Sequence, residues 1–104
     1  EEKLGKDSFT LRDYRLYYQL AWICLDNNVY LDRAEEWAKK AVGLRHKNEY
    51  ALFTLARVYA RKKQYPEALN LAKEAYKTAI YREHVNDELV SLIKKSIKEW
   101  GSKL

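Results

Sequence analysis

Glycine and proline are nearly absent from this chain of 104 residues, which has three Gly and one Pro. A fold rich in tight turns needs both, which argues against an all-β architecture and for long helices. Cys24 is the only cysteine, which rules out an intramolecular disulfide and a cysteine-based metal centre, and is compatible with a reducing compartment such as the cytoplasm without excluding an exporting one. No apolar run approaches the roughly 20 residues of a membrane span, and the N-terminus is polar rather than signal-like. Methionine is missing altogether, position 1 included, as expected of a chain processed or cut from something larger. Glycine-rich phosphate loops are absent too.

Catalytic groups are equally sparse. His46 and His84 are the only histidines, 38 residues apart, one expected in a turn and the other near a helix start. Cys24 is expected on the core side of its helix as an inert thiol. The acid pairs Glu35-Glu36 and Asp87-Glu88 fall in expected first turns of helices, where the helix dipole accounts for them. These residues imply a non-enzyme without metal or cofactor.

What the sequence does have is a repeat. Ala34, Ala38 and Ala41 return as Ala68, Ala72 and Ala75, each displaced by 34 residues. Upstream, Tyr17, Leu20, Ala21 and Cys24 answer to Leu52, Leu55, Ala56 and Tyr59 at a step of 35, which places an extra residue in Asp26-Asn27-Asn28. A fixed step in this range is the signature of stacked repeat units. Small residues at i, i+4 and i+7 form a flat stripe on which a neighbouring helix can come close, and the Leu-Ala pairs supply the facing surface.

Five helices and no strands are expected. The first follows Thr10-x-x-Asp13, which has the form of a capping box, and carries Leu16, Leu20, Ile23 and Cys24 on one face. The second runs from about Leu31 to Leu44. Asn48 caps a third over Glu49 to Arg61, and Pro66 opens a fourth ending near Ile80. Asn86 caps the fifth, with Asp87 and Glu88 in its first turn and lysines toward its end. The organisation is a tail or linker remnant over 1–9, units over 10–47 and 48–82, a capping helix over 83–100, and a tail over 101–104.

These blocks resemble the tetratricopeptide repeat family, whose pattern is aromatic-x2-Leu-small-x2-Tyr followed by Ala-x3-aromatic-x2-Ala. Leu55-Ala56, Tyr59, Tyr65, Ala68 and Ala75 match in register. The first unit departs from it at Cys24 and Ala38, and both units lack the closing proline, with His46 and Ile80 in its place. A further step of 34 reaches Leu89-Val90 and Ile93, the first helix of a unit without its second. The resemblance implies a short right-handed α-solenoid of two helical pairs closed by a solvating helix. It also implies a protein-binding scaffold whose first helices line a concave groove.

The stripe left over by the Leu-Ala core locates that groove from the residues themselves. It reads Arg15, Tyr18, Trp22 and Leu25 or Asp26 on the first helix, and Tyr50, Phe53, Arg57 and Arg61 on the third. On the fifth it reads His84, Asp87, Ser91 and Lys95. Trp, Tyr and Arg are the residues enriched at interface hot spots. The expected partner-binding set is therefore Arg15, Tyr18, Trp22, Tyr50, Phe53, Arg57, Arg61 and Lys95, centred on Trp22, Phe53 and Arg57. It suits a peptide or protein partner with acidic and hydrophobic anchors. Cover by the chain's own N-terminal segment, by a further domain or by a second copy is the open alternative, as is a structural domain docked on a larger parent. Tyr18 and Trp22 stand where family members that clamp a terminal carboxylate carry Lys and Asn, so such a clamp is not expected. The chain carries 20 Lys and Arg against 15 Asp and Glu, and clusters such as Arg61-Lys62-Lys63 make nucleic acid a rival of another class. Interleaved Glu35, Glu36, Glu67, Glu74 and Glu99 argue against it.

Overall fold

The computed structural model describes residues 13–44 and 47–104, so Thr10 of the capping box and His46 lie outside the described residues. Five α-helices account for the fold: α1 Asp13–Asp26, α2 Leu31–Leu44, α3 Glu49–Arg61, α4 Tyr65–Ile80 and α5 Asp87–Gly101. No strand occurs among the described residues. α1 packs chiefly on α2 and α3 on α4, the two pairs meet through α2 and α3, and α5 lies against α4.

Local chemistry explains the boundaries. The Asn48 side chain accepts a hydrogen bond from Ala51 N at 3.0 Å, and the Asn86 side chain accepts one from Leu89 N at 3.1 Å. Each satisfies one of the orphan donors at a helix start. Pro66 sits in the first turn of α4, where no N–H is needed.

Both helical pairs turn on the same device. Val29 N donates to Cys24 O and Asn28 N to Leu25 O; 35 residues on, Gln64 N donates to Tyr59 O and Lys63 N to Ala60 O. These are Schellman motifs, with Asn28 (φ 56°) and Lys63 (φ 64°) in the left-handed position. Gln64 closes α3 and also opens α4, its carbonyl accepting from Ala68 N. In the first unit those tasks are split between Val29 and Tyr30, whose carbonyl accepts from Ala34 N. The extra residue of the first unit is therefore Tyr30, after the turn, and not one of Asp26-Asn27-Asn28. Tyr30 is left-handed as well (φ 52°) and 73% exposed.

The alanine stripes are buried as the repeat requires, Ala34, Ala38, Ala41, Ala68, Ala72 and Ala75 all having no exposed surface. On α1 the buried stripe is Tyr17, Ala21, Cys24 and Leu25, whereas Leu16 and Ile23 are exposed. The expected grouping of Leu16 and Ile23 with Cys24 is corrected here. Apolar residues run round most of α1, and only the side toward α2 and α3 is covered. α5 buries Leu89, Ile93, Ser96 and Trp100.

Ion pairs stitch the units behind the core. Glu35 on α2 binds Lys62, just past α3, and Lys39 at 2.9 Å. The Lys62 ammonium first, and Lys39 second, hold the Glu35 carboxylate below its usual range. A lowered carboxylate pKa stabilises the fold above the unfolded value, near 4.5, and the contribution fades as pH falls through the folded value. Glu35→Gln should cost about 0.5–1 kcal/mol at pH 7. In acid titrations of stability that gap should close below pH 4.5, and a constant gap would exclude the ionic origin. Tyr30→Gly should raise stability by about 0.5–1 kcal/mol, because glycine accepts the left-handed backbone without a Cβ penalty. The check is thermal unfolding, with a Tm rise of about 2–6 °C expected.

Candidate functional site

The first helices of the units and α5 enclose an open groove of about 710 Å³. α1 supplies Tyr18, Trp22 and Ile23, α3 supplies Tyr50, and α5 supplies Leu89 and Leu92, with Gln19, Asn86 and Glu88 at the rim. Tyr18 and Tyr50 stack with ring centres 5.7 Å apart and planes 13° from parallel. Asn86 Nδ2 donates to the Tyr50 hydroxyl at 2.8 Å while its Oδ1 caps α5. One side chain thus fixes the α5 wall to the α3 floor.

Beneath the groove runs an aromatic column. Trp22 meets Phe53 at 6.1 Å, and Phe53 stacks on Trp100 at 6.0 Å. Such ring pairs contribute beyond their buried area. Phe53 has no exposed surface, so it supports the groove from below and is not the contact residue expected of it. Trp100, arriving from α5, is what covers it.

The two arginines expected in the groove are engaged by the end of α1 and the turn after it, with Arg61 itself exposed. Arg57 lies over the Trp22 ring at 4.5 Å, and its Nη2 donates to Asp26 Oδ1 at 3.0 Å. Its Nη1 is buried with no hydrogen-bond acceptor among the described residues. Arg61 donates from Nη1 to Asn28 Oδ1 at 2.7 Å and from Nη2 to the Leu25 carbonyl at 2.8 Å. Leu25 belongs to the last turn of α1, where carbonyls lack helical partners and a cation complements the dipole. Both arginines therefore engage the C-terminal end of α1 and border a smaller depression with Tyr65 and Trp100 instead of this groove.

Arg15 is exposed and borders a smaller depression that shares Tyr18, Gln19 and Tyr50 with the groove. Glu49 and Arg82 line the same depression and form an ion pair there at 2.8 Å. Lys95 is exposed on α5 but is not among the groove-lining residues. On α5 the lining positions are Glu88, Leu89 and Leu92 in place of His84, Asp87, Ser91 and Lys95. The signal for this was present: with Leu89 and Ile93 taken as core, Leu92 is the apolar residue at the edge of that stripe. The sequence groups Ile23 on one face with Cys24 and marks Asn86 only as a cap, so neither carries a groove signal of its own.

The groove holds one charged residue, Glu88, and its body is aromatic and aliphatic. Such a surface accepts apolar side chains and offers a few hydrogen-bonding groups at its edge. Cys24 is buried, His84 is exposed in the link after α4, and no group of three metal-ligating side chains occurs among the described residues. No helix among them is long and apolar enough to cross a membrane. Comparison of the chain with protein-family models, curated protein sequences and solved structures finds no match.

The geometry separates stacking from ion pairing at Arg57. Arg57→Ala should destabilise the fold by about 1–2 kcal/mol through lost contact with Trp22. Asp26→Asn should cost less than about 0.5 kcal/mol, because the Asp26 side chain is more than half exposed. Equal losses in chemical denaturation would assign the effect to the ion pair instead.

Proposed function

We propose that this protein is a non-catalytic module of the tetratricopeptide repeat type that holds a segment of a partner protein in the groove between α1 and α5. The observation carrying this reading is apolar surface kept open in a built concavity. Ile23 and Leu92 are 57% and 41% exposed on opposite walls, above a floor of packed aromatic rings. A patch of this kind on a folded domain marks an interaction site. Helices on both sides of a concave floor suit a peptide that inserts apolar side chains at regular spacing.

The partner's main anchors are then hydrophobic. The acidic anchor inferred from Arg57 and Arg61 loses its support, since both side chains are engaged by α1. The same engagement weighs against nucleic acid, which needs cations directed outward along the binding surface.

Selection of a displayed random-peptide library on the purified chain tests this reading. Enriched peptides should carry aliphatic or aromatic anchors and bind Leu92→Glu at least about ten-fold more weakly. Leu92 is partly exposed, so helical content should not change. Failure to enrich any peptide, or equal binding by the Leu92→Glu protein, would defeat the proposal.

A further inference from the structure

The outward side of α1 is a second open apolar surface, and the repeat shows what such a surface packs against. Leu16, Gln19, Leu20 and Ile23 precede Ala51, Thr54, Leu55 and Val58 by 35 residues. In α3 these four positions are all buried, at most 6% exposed. Leu55 and Val58 pack with Ala21, Cys24, Leu25, Ala34 and Ala38, and Ala51 packs with Tyr17 and Ala41. The covering surface is thus helical. In α1 the same side is open among the described residues, Leu16 being 40% and Ile23 57% exposed. A ridge with the composition of a helix–helix contact is left facing solvent.

We infer that a second copy of this chain covers it, with the two α1 helices antiparallel about a two-fold axis near Gln19 and Leu20. Charge selects this arrangement. Arg15 and Asp26 lie at opposite ends of α1 and flank the apolar stripe, both exposed. Antiparallel pairing brings Arg15 of each copy toward Asp26 of the partner subunit, whereas parallel pairing sets like charges together. Asp26 retains 54% of its side-chain exposure while bound to Arg57, leaving a carboxylate face for a second cation. Head-to-tail stacking on α5 is disfavoured, because the open side of α5 carries exposed Lys94, Lys95, Lys98 and Glu99. Burying those charges without partners is costly. The two-fold contact needs no second surface and closes on itself.

The stripe is short, so the association is weak. It shares Gln19 and Ile23 with the groove wall, and the inference does not rest on peptide binding there.

Sedimentation equilibrium of the intact chain is the test. The average mass should climb from 12.4 kDa toward twice that value between about 10 µM and 1 mM. Leu16→Glu should move that rise at least about ten-fold higher in concentration, and Arg15→Glu should weaken it in low salt. Gln19→Cys, near the axis, should give a disulfide-linked dimer with oxidised glutathione as the electron acceptor. Leu92→Glu, which disables the groove, should leave the mass curve unchanged, so failure of the groove reading is told apart from failure of this one. A 12.4 kDa species at every concentration, with no cross-link through Gln19→Cys, overturns the inference. The stripe then belongs to another helical element, such as a further unit joined upstream.

Discussion

Six alanines without exposed surface set the spacing on which the rest of this protein depends. A side chain of one carbon lets α1 approach α2, and α3 approach α4, closely enough that Tyr17, Leu25 and Val58 fill what remains. Larger residues there would push each pair apart and overpack an interior that tolerates little extra volume. With the pairs fixed, α1 and α3 lie side by side. Residues at matched turns then meet: Tyr18 with Tyr50, Trp22 with Phe53 and Arg57, Leu25 and Asn28 with Arg61.

Those meetings show how a repeat acquires a specific surface. Trp22 and Arg57 occupy the same place in the two units, 35 residues apart, and stack on one another. The Schellman turns and alanines repeat because each unit must solve the same packing problem. The groove residues differ between units because they face one another across the stack. Where Trp22 meets Arg57 beside the groove, a cation on an indole face adds an attraction that two like residues at those positions would lack.

Much of the architecture was legible in the sequence because its signals are local. Asn48, Asn86 and Pro66 mark helix starts through bonds within one turn, and the alanine spacing marks a face within one helix. Tyr30 was not legible as the extra residue. Locating it requires knowing that Gln64 closes one helix and opens the next, a property of backbone geometry with no residue signature. Phe53 falls on the expected contact stripe for a different reason. Periodicity tells which residues share a face, but only the path of α5 decides whether Trp100 reaches that face and covers it. Leu16 and Ile23 pose the converse problem: their α3 equivalents are buried, so the repeat pattern points inward where no neighbouring helix stands among the described residues. The groove arginines fail on the same ground, since their partners Asp26, Asn28 and the Leu25 carbonyl come from another unit.

How rigid the groove is follows from what holds its α5 wall. Asn86 joins that wall to Tyr50 by one hydrogen bond and caps the helix by another, each contributing about 1 kcal/mol. Leu89, Ile93 and Trp100, all buried, contribute about 1.5–3 kcal/mol each by leaving water. The burial term is the larger by several-fold, and it is spread along about three turns of α5. A ligand that disturbs Tyr50 can therefore loosen the cap at Asn86 without releasing the helix. On the proposed peptide-binding reading, the groove is in place before a partner arrives, so little binding free energy would go into shaping it. Affinity on that reading would be decided by how well apolar side chains of the ligand fill the space between Trp22, Ile23 and Leu92.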